Sequence, residues 1–210
     1  MSPSDSISAL ADIAAYYAEK IEAHGETAQG VDWNGAESQS LRFEQLTKLI
    51  TRTSEFTIND LGCGYGALFD YLLPRYDRFQ YRGYDISTEM ISAAQKRHCK
   101  HGAASYKIGA QPDGTADYTV ASGIFNIRLD QSDESWTRYF KTTLDAINET
   151  STHGFAFNCL TSYSDKERMR QYLYYSNPCE MFDFCKQRYS RNIALLHDYG
   201  LYEYTILVRK

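Results

Sequence analysis

The chain has 210 residues, enough for one domain with a substantial core, and its formal net charge of -5 argues against an extended cationic surface for nucleic-acid backbones. Its five cysteines include no closely spaced pair of the metal-ligating kind, and no apolar run approaches the ~20 residues a membrane span needs. With no apolar leader ahead of the first helical segment, the expected setting is cytoplasmic, with neither membrane nor nucleic acid as partner and no metal.

The first segment, ISALADIAAYYAEKIEAHG, spaces Leu10, Ile13, Tyr17 and Ile21 as a helical face, and Gly25 ends the run. A polar stretch, TAQGVDWNGAES, follows. Leu41, Leu46, Leu49 and Ile50 then predict a second helix, which carries Arg42. Both helices precede the first convincing strand, so residues 1–50 are expected to form a helical cap and residues 51–210 the ligand-binding domain.

From FTINDLG onward, strands alternate with helices. A helix runs from about Ala67 to Leu73 and stops near Pro74; QYRGYDIS is a strand, TEMISAAQKRHCKHG a helix, and ASYKIG and ADYTVASGIF two further strands. ESWTRYFKTTLDAINET reads as helix, HGFAFNCLT as strand and CEMFDFCKQRY as helix. The last two strands, within NIALLHDYGLYEYTILVRK, are joined by a connection too short for a parallel crossover and must pair antiparallel. The fold predicted is α/β: a doubly wound, Rossmann-like, seven-stranded sheet, mostly parallel with a C-terminal antiparallel hairpin strand, plus the N-terminal helical cap.

The chemistry concentrates at INDLGCGYGALFDY. Asp60 ends the first strand, and Gly62, Gly64 and Gly66 let the backbone turn closely against a ligand before entering a helix. Asp85 ends the next strand, nineteen positions after Gly66, where a carboxylate can accept both hydroxyls of a ribose. Ala67 stands where the dinucleotide fingerprint expects its third glycine and is tolerated there, so an NAD-dependent oxidoreductase stays open as an alternative.

On DLGCGYG, YRGYDIS, ADYTVASGIFN and the closing YEYTILVRK, residues 36 to 210 resemble the class I S-adenosylmethionine-dependent methyltransferases. The resemblance implies S-adenosyl-L-methionine as cofactor, with Gly62 and Gly64 approaching its methionine portion, Asp85 holding the ribose and Ile86 packing on adenine. The family often has an acid after its third strand; here Ala110 and Gln111 stand there, and Gln111 is the candidate adenine contact. Phe125 or Asn126 is expected to border the donor. Asp60 would favour the positive sulfonium, Arg42 is the candidate partner for the donor carboxylate, and Cys63 packs within the loop.

SGIF replaces the Asn/Asp-Pro-Pro-aromatic tetrad of relatives that modify DNA adenine or protein glutamine, which leaves a small polar, sugar-like or carrier-attached acceptor. Asn126, Asn158, Tyr174 and Tyr175, with Tyr17 on the cap, are candidate acceptor contacts. His197 and Tyr163 are the candidate catalytic residues, His197 because its unperturbed pKa suits a base. A noncatalytic donor-binding module is a further alternative, and a homodimer is compatible with the sequence.

Overall fold

The computed structural model describes residues 3–51 and 54–210. The strands are β1 (Phe56–Leu61), β2 (Phe79–Asp85), β3 (Ala104–Ile108), β4 (Ala116–Ala121), β5 (Ser151–Leu160), β6 (Asn192–Leu196) and β7 (Glu203–Arg209). The helices are α1 (Pro3–His24), α2 (Ala36–Thr47), α3 (Ala67–Leu72), α4 (Thr88–Arg97), α5 (Asp133–Glu149) and α6 (Pro178–Arg188), with short 3-10 turns at Gln29–Val31 and Lys166–Arg168. The seven strands form one sheet in the order β3-β2-β1-β4-β5-β7-β6. β7 alone runs against the rest, pairing antiparallel with both β5 and β6.

Side-chain alternation divides the core between the two faces of the sheet. Phe155, Phe157 and Cys159 of β5, with Tyr204, Ile206 and Val208 of β7, pack with Trp136, Phe140 and Leu144 of α5 and Met181 and Cys185 of α6. Ala156 and Leu207, the intervening residues, face the other way and join Phe43 and Leu46 of α2, Leu68, Phe69 and Leu72 of α3 and Ile91 of α4. Helices on both faces explain why β1 and β7 are buried almost throughout. β3, at one edge, buries only Tyr106 and leaves Ile108 60% exposed.

Helix starts follow local chemistry. Ser87 Oγ accepts from Met90 N at the head of α4, Ser132 Oγ from Ser135 N at α5, and Asn177 Oδ1 from Cys179 and Glu180 N at α6, where Pro178 takes the first turn.

The expected cap divides in two. α2 packs on β5, β7 and α3 and so belongs to the layer covering the sheet, whereas α1 lies against α4 and the first 3-10 turn. Only α1 and residues 25–35 are left to overhang the strand ends. Between β1 and β4 the strand order reverses direction, which opens a crevice at their carboxyl ends. No helix of the described residues is long and apolar enough to cross a membrane.

Candidate active site

Phe56 and Ile58 anchor β1 in the core, and the strand delivers Asp60 to its carboxyl end almost fully buried. Tyr81 Oη donates to Asp60 Oδ2 at 2.5 Å, while Oδ1 is buried without a partner. Burial pushes this carboxyl up to about 7; the Tyr81 bond works against the rise and the charge of Asp85 adds to it. An orphaned carboxylate oxygen is costly in an interior, so this one is suited to a ligand.

The glycine turn folds back on β2, where Tyr84 O accepts from Gly62 N at 2.7 Å and Cys63 N at 3.0 Å. Asp85 closes the turn: Oδ2 accepts from Gly64 N and Oδ1 from Ser87 N, both at 2.9 Å. Each oxygen keeps lone-pair capacity for a further donor. Burial raises the Asp85 carboxyl above its ordinary value despite these bonds. Gly62 has φ +76°, and a Cβ there would meet Ile124 Cγ2 at 2.1 Å, so the position excludes a side chain on two grounds.

These elements enclose a cleft at the carboxyl ends of the strands. Asp60, Gly62, Cys63 and Gly64 form one wall and Asp85, Ile86 and Met90 the next, with Gly109 and Ala110, Ser122 and Ile124 beyond. α1 covers it with Leu10, Ile13 and Tyr17, helped by Val31 and Trp33. Its mostly apolar walls, set with a few convergent polar groups, suit a small ligand or cofactor.

A second cleft of about 590 Å³ shares Tyr17, Val31 and Trp33 with the first. Asn126, Arg42 and Glu203 line it on one side, and Ser164, Arg168, Arg170, Tyr172 and Tyr175 on another. Trp33 is the main partition. Arg42 stacks on its ring with the guanidinium 3.8 Å from the centroid, and Gly123 lies so close beneath that a Cβ would meet the indole at 2.4 Å.

Arg42 lines the second cleft and not the first, where a donor carboxylate was expected to meet it. Its Nε and Nη2 donate to the two oxygens of Glu203, each at 2.9 Å, and its Nη1 donates to Ser38 O. Asn158 Nδ2 and Asn126 Nδ2 donate to the same carboxylate at 2.7 and 3.4 Å. Their Oδ1 atoms accept from Gly123 N and Leu160 N. Asn158 is thus a buried strut behind the clefts, and Asn126 both strut and wall.

Other expectations also shift. Phe125 is fully buried, stacked on Phe140 with ring centroids 3.7 Å apart, and its neighbours Ser122 and Ile124 take the wall instead. Gln111 is exposed, leaving the wall to Gly109 and Ala110. Gly66 is off the cleft; its φ is +86°, and its lack of a Cβ leaves room for His98 and Tyr106. Cys63 does line the cleft, with burial holding its thiol well above the ordinary value. Tyr174 is buried and its hydroxyl is bonded to Thr137.

Tyr17 and Tyr175 do line clefts. Desolvation, then the charges of Asp32, Asp85 and Glu203, raise the Tyr17 phenol, so it remains protonated. His197 and Tyr163 come together with ring centroids 6.0 Å apart, but both are exposed and neither lines either cleft. No sequence motif marks Trp33 and Val31; the trace they leave is an apolar pair inside an otherwise polar linker.

A doubly wound sheet with a single reversed strand next to last in the order, and an acid at the end of β2 tied to a glycine turn after β1, defines the Rossmann-like methyltransferase architecture. A family model described as "Methyltransferase domain" matches residues 59–149. "Putative methyltransferase Rv1506c" of Mycobacterium tuberculosis (strain ATCC 25618 / H37Rv) is 54% identical over 163 residues, 78% of this chain and 98% of that protein. The chain belongs to the methyltransferase family.

Solved structures agree in fold at low identity. The DhpI-SAH complex superposes with a TM-score of 0.67 at 14% identity, covering 96% of each chain. Magnesium protoporphyrin IX methyltransferase (ChlM) from Synechocystis PCC 6803 with bound SAH gives 0.61 at 12% identity, over 83% of this chain and 84% of that one.

Proposed function

We propose that this methyltransferase holds S-adenosyl-L-methionine in the first cleft and presents a small polar acceptor from the second, to be methylated on oxygen or nitrogen. The buried Asp60 oxygen without a partner carries this reading. When ionised it puts negative charge without a paired cation beside the glycine turn, which favours a cationic ligand and opposes the pyrophosphate of NAD.

The residues present fit the donor. Asp85, already fixed by two backbone N–H groups, has the capacity to accept from the ribose hydroxyls. Ile86 and Met90 offer apolar contact for adenine, and the bare backbone of Gly62 and Gly64 gives room for the amino acid arm. When bound, the donor supplies a methyl group on positively charged sulfur, open to in-line displacement.

The chain's own part is to position and to exclude water. α1 and Trp33 cover the donor cleft, and the partition formed by Tyr17, Val31 and Trp33 is where an acceptor in the second cleft would approach. Aromatic rings from Tyr172 and Tyr175 beside polar Ser164 and Asn126 suit a sugar-like acceptor or a group tethered to a carrier.

Calorimetry tests the donor site. S-adenosylhomocysteine is expected to bind one to one and more tightly than NAD. Asp85→Ala should weaken it by about tenfold or more while leaving the circular dichroism spectrum unchanged. Preference for NAD, or unaltered affinity in the variant, refutes the assignment.

A further inference from the structure

We infer that the second cleft is an anion site: the acceptor carries a carboxylate or phosphoryl group that seats against Arg168 and Arg170. The inference builds on the acceptor role proposed for this cleft. Five charged side chains line it, namely Asp32, Arg42, Arg168, Arg170 and Glu203. Arg42 and Glu203 neutralise one another in a buried bidentate pair. Asp32 is neutralised from outside the lining by Lys20 at 2.6 Å and accepts a further bond from Tyr16. Two arginines remain on the wall of a protein whose formal net charge is -5, so the local excess runs against the overall balance.

Neither arginine is fully engaged. Arg168 meets Asp165 only at 3.9 Å, and the same Asp165 oxygen accepts from Tyr202 Oη. Arg170 donates through Nη1 to the carbonyls of Glu167 and Met169, at 3.2 and 3.1 Å, which leaves Nε and Nη2 for a ligand. Asp165 and Glu167 belong to the same turn but do not line the cleft. Guanidinium groups with spare donors make forked, charge-assisted bonds to planar carboxylates and to phosphoryl oxygens.

The backbone fixes these arginines relative to the partition. Tyr172 O accepts from both Arg128 N and Leu129 N, and Tyr174 N donates to Asn126 O, so the segment bearing Arg170 is laced to the loop after β4 that supplies Asn126. Arg170 N donates to Tyr175 Oη, whose own proton is left for an acceptor oxygen. An acidic group anchored here would direct the rest of the molecule toward the partition at Trp33.

The test uses the full chain saturated with S-adenosylhomocysteine, titrated calorimetrically with phenyl phosphate, benzoate and neutral benzamide. One or both anions should bind, with benzamide at least about tenfold weaker. Arg168→Gln and Arg170→Gln should each weaken the anion about tenfold while changing S-adenosylhomocysteine affinity less than about twofold. Preference for phenyl phosphate identifies a phosphoryl acceptor and preference for benzoate a carboxylate. Equal binding of benzamide, no binding of either anion, or undiminished anion affinity in both variants overturns the inference. Failure of S-adenosylhomocysteine to bind the parent protein would instead overturn the donor reading.

Discussion

Asp60 is buried where its charge is costly, and that cost has a sign. With its folded value raised from 3.8 to about 7, the native state holds more protons than the unfolded chain between those values. Its contribution to stability is therefore complete below the unfolded value and is lost as pH rises toward 7. Donor binding should run the other way, because only the ionised carboxylate attracts a cation. Asp60→Asn, which still accepts from Tyr81, is expected to raise the ligand-free melting temperature at pH 8 and flatten its fall between pH 5 and 8. S-adenosylmethionine affinity should drop by about tenfold and lose its rise across pH 7. Scanning calorimetry and titrations over that range check both, and an unchanged pH slope would be decisive against the charge argument. Asp60 and Asp85 were legible in sequence because each lies at the end of a recognisable strand. Arg42 was not, since its partner Glu203 lies 161 positions away and no local pattern encodes that pairing.

At the level of elements, the three glycines serve different neighbours. Gly62 and Gly64 face the cleft, while Gly66 opens α3 with a left-handed backbone. A Cβ on Gly66 would meet the His98 ring at 2.7 Å and Tyr106 Oη at 2.8 Å. Those two groups are bonded at 2.6 Å, and His98 Nε2 lies 2.9 Å from Asp70 Oδ1, so the contact ties α3, α4 and β3 together. Gly66→Ala should cost about 2–4 kcal/mol, combining left-handed strain with overpacking. Urea denaturation measures this, and donor affinity in the folded fraction should change less than in Gly62→Ala, whose new Cβ would collide with Ile124 at the cleft. Spacing revealed the turn but could not tell which glycine meets ligand and which meets protein. The linker VDWNG reads as a loop from its polarity, which does not reveal that its αL residue Asp32, at φ 62°, turns the chain so that Trp33 lines both clefts.

Across the whole molecule, the alternation of strands and helices was readable because each strand is a short apolar run bounded by turn residues. The reversed β7 was readable from the short connection before it. What periodicity could not supply is the buried link from α2 to β7, where Arg42 joins the sheet to the residue that separates the two clefts. Glu203→Gln leaves the Arg42 charge uncompensated in a buried site and is expected to cost about 3–5 kcal/mol in chemical denaturation. The chain has two tryptophans, and Trp136 sits in the core at 1% exposure, so a red shift in native-state emission would report loosening of Trp33. Replacing both partners together, Arg42→Met with Glu203→Leu, removes the stranded charge and should recover much of the stability. The indole would still lack its guanidinium stack, so the emission shift should persist in the refolded double variant. Recovery of stability with parental emission would show that Trp33 does not depend on the Arg42 stack, and parental stability in Glu203→Gln would refute the link itself.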